Sequence, residues 1–125
     1  MNISKFTQKS MEIVNNLEKT AYDFGNQELA QEHLLYNMLT VDDSLIVSLL
    51  KKMDIDPVVF QAQVEGLINK RPKVEGGQIY VGNDLNKVLI YAENEAKAMG
   101  DEYISVEHLF LSMLRKASPL SLIHI

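Results

Sequence analysis

Sliding the chain against itself by 75 residues places residues 21–39 on residues 96–114, and seven of the nineteen positions become identical. Composition alone gives roughly one such match. Ala21 meets Ala96, Gly25 meets Gly100, Glu32-His33-Leu34 meets Glu107-His108-Leu109, and Met38-Leu39 meets Met113-Leu114. Upstream, Phe6, Ile13, Val14 and Leu17 fall on Val81, Val88, Leu89 and Ala92. The apolar positions recur with the period of a helix face. A chain that writes one helical face and one loop twice has to pack two copies of one unit. The expected fold class is therefore all-α, a pseudo-twofold repeat of helical units.

The repeated loop has a local mechanical reading. Gly25 and Gly100 follow long helical stretches and suit the left-handed residue that ends a helix. Leu29 and Ile104 then precede the next helix, with Leu34 and Leu109 at its fourth position, the arrangement of a hydrophobic staple. Glu32 and Glu107 fall in the first turn, where negative charge is favourable. Ser105 is a good N-cap and its counterpart Ala30 is not, so copy one lacks a side-chain cap. Thr7 caps the first helix, and Asp56-Pro57 opens another with a capping carboxylate and a proline at N1. These signals predict helices at about 7–24, 30–40, 44–53, 57–69, 83–99 and 105–116, with Gln78 to Val81 weakly extended and no substantial sheet. Residues 1–70 form the first repeat, 71–80 a linker with two strong breakers, and 81–118 a second, incomplete repeat. Repeat two has no counterpart of residues 44–69, so part of Leu109, Phe110, Met113 or Leu114 is expected to be exposed.

The last residues resemble nothing after Thr40. Leu120–Ile125 also match an in-frame reading of a transposon end used in sequencing libraries. Residues 119–125 are therefore read as a non-native tail on a truncated frame and are set aside.

Several function classes are excluded or disfavoured. The chain has 125 residues, 46% of them hydrophobic, enough for one domain with a real core. It has no cysteine, so no disulfide and no Cys-based zinc site. A net charge of −5 lacks the basic footprint of a nucleic-acid or anionic-membrane binder, and no apolar run reaches spanning length. The polar N-terminus and the missing cysteines fit a cytoplasmic protein. The doubled Glu-His invites an acid–base or metal reading. Neighbouring residues point about 100° apart around a helix, however, and no HExxH is present. A capping, packing or surface role for His33 and His108 is the better account. No glycine pattern forms a phosphate cradle and no nucleophile triad is signposted. What remains is the seam between the copies, where equivalent helices meet and a partner peptide can lie. Leu89, Tyr91 and His108 are the candidates for its wall.

Lys5-Phe6-Thr7, the two Gly…Glu-His-Leu blocks and Arg71-Pro72-Lys73-Val74-Glu75-Gly76 together resemble the N-terminal domain of the Clp chaperone ATPases, over roughly residues 3–116. The Pro-x-Val-x-Gly pattern is closer to the ClpB disaggregase branch than to the ClpA or ClpC branches. The resemblance implies an all-helical pseudo-twofold domain on a flexible linker above an ATP-driven homohexameric ring. It implies contact with unfolded or aggregated proteins or with adaptors, and no cofactor in this stretch. ATP and Mg would belong to separate ATPase domains. Carried over position by position, it implies a polar set at Thr7, Asp101 and Glu107 and an apolar groove at Leu89, Tyr91 and His108. Two alternatives stand beside the disaggregase reading. One is an adaptor platform of a ClpC- or ClpA-like unfoldase that feeds a protease. The other is a small stand-alone helical enzyme, which would need a pocket of convergent, pKa-shifted groups.

Overall fold

The computed structural model describes residues 5–115. In chain order it contains α1 (Gln8–Asn15), α2 (Leu17–Asp23), β1 (Glu28–Leu29), α3 (Gln31–Thr40), α4 (Leu45–Lys52), α5 (Pro57–Asn69), β2 (Tyr80–Val81), α6 (Asn83–Ala98) and α7 (Val106–Arg115). Helix dominates, as the doubled apolar face requires. The caps follow the sequence: Thr7 Oγ1 accepts from Ser10 N–H, Ser44 Oγ from Val47 N–H, and an Asp56 carboxylate oxygen from Val58 N–H.

The continuous helix expected over 7–24 is instead two helices broken at Asn16, whose φ and ψ are −93° and 3°. The cause lies across the core. Asn37 Nδ2, on α3, donates to the Ile13 carbonyl at 3.0 Å, the acceptor that Leu17 N–H would take in an unbroken helix. Asn16 adds a side-chain bond back to the Glu12 carbonyl at 3.0 Å, and Thr20 Oγ1 donates to the Asn16 carbonyl at 3.0 Å. In copy two the residue equivalent to Asn37 is Ser112. Its shorter hydroxyl donates to the Val88 carbonyl at 2.7 Å, and α6 runs unbroken for 16 residues.

Both long helical stretches end in the same Schellman turn. Gly25 and Gly100 have φ of 75° and 73°. Asn26 N–H reaches the Ala21 carbonyl and Asp101 N–H the Ala96 carbonyl, each at 2.8 Å. A side chain at either glycine would occupy the left-handed region at a cost of about 1 kcal/mol or more. Gly100→Ala isolates that cost, because nothing lies within 4 Å of the added methyl. It should lower the unfolding free energy by about 1 kcal/mol in a urea titration.

One core serves both copies. α3 is its centre and contacts α1, α2, α4, α5, α6 and α7. Eight of its ten residues are buried, including Gln31, Glu32, His33 and Asn37. Phe6, Ile13, Leu17, Leu50, Phe60, Val64, Ile68, Leu85, Val88 and Leu109 are all buried, as the helical period predicts. The shortfall on α7 is narrower than expected: Leu109, Phe110 and Met113 are buried, and Leu114 is 48% exposed. The tail residues 119–125 lie outside the described residues.

Candidate functional site

The two copies are joined by reciprocal backbone pairing. β1 pairs with β2 in parallel, Glu28 against Tyr80 and Leu29 against Val81, and Gly82 N–H donates to the Leu29 carbonyl at 2.9 Å. Shifted by 75 residues, the same contact recurs. Phe6 bridges Ile104 in parallel, and Thr7 N–H donates to the Ile104 carbonyl at 3.0 Å. The approach segment of each copy thus docks on the loop of the other. The weakly extended stretch before α6 exists because it has this partner.

The doubled Glu-His is a structural knot on each of those loops. His33 Nδ1 accepts from Ala30 N–H at 2.9 Å, and its Nε2 lies 2.9 Å from Asn26 Oδ1. His108 Nδ1 accepts from Ser105 N–H at 2.9 Å, and its Nε2 lies 2.8 Å from Asp101 Oδ2. An Nδ1 facing a backbone N–H carries no proton, so the hydrogen sits on Nε2 and is donated to Asn26 or Asp101. Each histidine therefore fastens the N-terminus of its helix to the turn that ends the previous one. Burial, and after it the Arg71 guanidinium, push the His33 imidazole down to about 4. Ala30 offers no capping side chain, whereas Ser105 Oγ accepts from His108 N–H at 3.4 Å. That is the asymmetry the sequence predicts. Among the described residues no group of His, Asp and Glu could hold a metal ion, and no helix is long and apolar enough to cross a membrane.

The residues of the polar set gather at one end of this arrangement. Thr7 caps α1 and is tied through its N–H to Ile104; Asp101 holds His108; Glu107 stands exposed in the first turn of α7. The apolar set is split. Leu89 is 5% exposed and part of the core, and His108 is 4% exposed beneath Asp101. Tyr91, two positions along α6 from Leu89, is 39% exposed and is the accessible member.

Residues 71–75 were not among the sequence-derived candidates, yet they are anchored at the equivalent place in copy one. Arg71 puts Nε 2.5 Å from Glu32 Oε2 and a terminal nitrogen 3.2 Å from Glu28 Oε2. Glu32 is 2% exposed, so this ion pair is nearly dry on the carboxylate side. Asn26 Nδ2 donates to the Pro72 carbonyl at 3.1 Å, Val74 N–H to the Gly25 carbonyl at 2.9 Å, and Lys73 Nζ to the Phe24 carbonyl at 2.5 Å. The segment is a strap across the loop of copy one.

This doubled helix–loop–helix geometry has known counterparts. The family model for the Clp repeat (R) N-terminal domain matches residues 5–123. The chaperone protein ClpB of Nitratidesulfovibrio vulgaris is 38% identical over 121 residues, which cover 93% of this chain and 14% of that relative. The Hsp104 N-terminal domain of Candida albicans superposes with a TM-score of 0.81 at 22% identity, covering 89% of this chain and 74% of that one. The N-terminal domain of the caseinolytic protease associated chaperone ClpD of Arabidopsis thaliana gives 0.70 at 16% identity, covering 98% and 82%. By the match along nearly its whole length, and by the two copies of its loop, the chain belongs to the family of Clp repeat N-terminal domains.

Proposed function

We infer that this chain is the substrate-recognition domain of a ClpB-like ATP-dependent disaggregase. It binds unfolded or aggregated polypeptide and does no catalysis itself. The 38% identity to ClpB carries the reading. The chain spans 14% of that relative's length, so the homohexameric AAA+ ring, its ATP and Mg, and a cytoplasmic location belong to the proposal for the whole protein. The geometry supports a binding role. The histidines are consumed in helix capping, and Tyr91 on α6 and Asp101, Tyr103 and Glu107 on and after the copy-two loop are exposed. We place the polypeptide against Tyr91 as the aromatic contact, with Leu89 and His108 in the core behind the surface and Thr7, Asp101 and Glu107 as the polar set.

Weak affinity suits such a module, because several copies on one ring can replace single-site strength by avidity. The second reading is the adaptor platform of a protease-linked unfoldase, and the ClpD domain shares the fold.

Titration of the ¹⁵N-labelled chain with a permanently unfolded, reduced and carboxymethylated protein tests the reading. Shifts should cluster around Tyr91 and residues 101–107, and Tyr91→Ala should weaken binding by about tenfold, the loss of one aromatic contact of ~1.5 kcal/mol. Its melting temperature separates lost contact from lost stability. No shifts, or unchanged binding by a folded Tyr91→Ala variant, would remove this face from the function.

A further inference from the structure

α4 turns apolar side chains outward as well as inward. Ile46 and Leu50 enter the core, and the helix packs on α3 and α5. On its outer side Leu45, Ser48, Leu49 and Lys52 stand at i, i+3, i+4 and i+7, a single stripe along the helix, and Met53 ends it. Leu45 is 47% exposed, Leu49 38% and Met53 44%. Among the described residues copy two has no counterpart of α4, and the stripe carries none of the residues placed against the polypeptide above.

The charges at the two ends of this stripe are opposite. Asp42 and Asp43 are exposed in the turn before Ser44 caps the helix, and Lys51 and Lys52 are exposed in its last turn. Among the described residues none of these four side chains makes an ion pair or a hydrogen bond. The nearby charges are already engaged or set apart. Lys9, whose Nζ reaches the Asp42 carbonyl, pairs with Glu12, and Asp56 caps α5. Asp54 lies past the helix in a left-handed turn, with φ of 58°. An acidic start, an apolar middle and a basic end make the stripe complementary to itself in one orientation. Two copies related by a twofold axis across their helices run antiparallel, so each acidic turn meets a basic one. A twofold axis along the helices would instead set Asp42 and Asp43 against their own copies.

We propose that the outer face of α4 is a self-association surface, on which two copies of this chain pair antiparallel about Ser48 and Leu49. The small Ser48 side chain lets the helices approach, and Leu49 of each chain packs across the twofold axis. Leu45 lies on the aliphatic stem of the partner's Lys52, whose ammonium reaches on to Asp42 and Asp43. The span suits this: Leu45 and Lys52 are ~10 Å apart along the helix axis, centred on the Ser48–Leu49 step. A helix of eight residues offers less than the ~1,200 Å² that a stable pair buries, so the free chain pairs weakly. Tethering on the ring of the proposed function would raise the effective concentration to roughly millimolar, where a weak contact is populated. The inference goes beyond the client-binding reading and needs no client.

The test is NMR of the ¹⁵N-labelled 125-residue chain from about 20 μM to about 1 mM, a range that brackets weak pairing. Translational diffusion should slow toward that of a dimer as concentration rises, with shift changes centred on residues 42–53. Leu45→Glu should abolish both effects. Lys52→Glu sets acid against acid, and Asp42→Lys with Asp43→Asn sets base against base. Each should weaken pairing by about fivefold or more, the scale of two reversed surface contacts. Mixed in equal amounts, the two charge variants complement each other and should pair as well as the wild type. Melting temperatures accompany every variant. If Leu45→Glu lowers its own, the charge variants, all at exposed positions, carry the test alone. Constant diffusion up to about 1 mM, concentration-dependent shifts centred on Tyr91, or a mixture that pairs no better than either variant alone would each overturn the proposal. The failures are separable. A client that binds around Tyr91 while the chain stays monomeric defeats this proposal and spares the broader reading. Pairing through α4 by a chain that binds no client supports this surface and defeats the broader reading.

Discussion

Replacing His33 with alanine should destabilise the domain by about 3–4 kcal/mol, a large part of the roughly 5–15 kcal/mol that holds a domain of this kind together. The side chain is fully buried on the central helix, so its removal leaves a cavity and unpartners two groups at once. Ala30 N–H loses its acceptor at the start of α3, where no side-chain cap replaces it. Asn26 Oδ1 loses its donor in the turn that ends α2. Each buried group so stranded costs ~1–3 kcal/mol. His108→Ala should cost less, because Asp101 is half exposed and recovers its hydrogen bond from water, and because Ser105 still caps α7. Urea titrations at pH 7.5 with an unchanged slope would read both values. A His33→Ala loss under 1 kcal/mol, or a larger loss for His108→Ala, would mean that the histidine knots do not hold the loops.

The knot was only half legible in the sequence. Glu-His at a 75-residue offset marked the position, and the lack of convergence between neighbouring residues pointed to a capping or packing role, which both histidines play. The glycine turns and the Ala30–Ser105 asymmetry were readable because each depends on residues within one turn of one another. The break at Asn16 was not, because its cause is Asn37 on another helix, and helical period has no term for a side chain arriving from across the core. The strap was hidden for the same reason. Arg71 and Glu32 are 39 residues apart, and Glu32 already had a sufficient local role beside the helix dipole. The alignment of the copies did contain one unused signal: Asn26 falls on Asp101, a donor-bearing amide against a pure acceptor. The division of the apolar set was also available in principle. Leu89 and Tyr91 are two positions apart on α6, about 200° around a helix, so they cannot line one wall side by side.

Acidification should destabilise the domain through His33, and the direction follows from where the proton binds. In the folded chain the imidazole is held down at about 4, by burial first and by the Arg71 charge second. In the unfolded chain it titrates near its ordinary value of about 6.5. Between those limits the unfolded state takes up a proton that the folded state refuses, so stability rises with pH there. The contribution is fully present above about pH 6.5 and is lost as the pH falls to about 4. Its ceiling is about 3 kcal/mol, reduced by whatever water reaches the ring once the strap loosens. Protonation also places an Nδ1–H against Ala30 N–H, so the cap itself is lost in the charged form. His33→Gln separates this group from the carboxylates that titrate in the same range. Glutamine can accept from Ala30 N–H as the third-position partner of a capping box, but it carries no titrating proton. Unfolding free energies measured every half unit from pH 7.5 to 4.0 should fall more steeply for the wild type than for His33→Gln, with the difference opening below about pH 6.5. Parallel curves would show that His33 does not stay neutral in the folded chain.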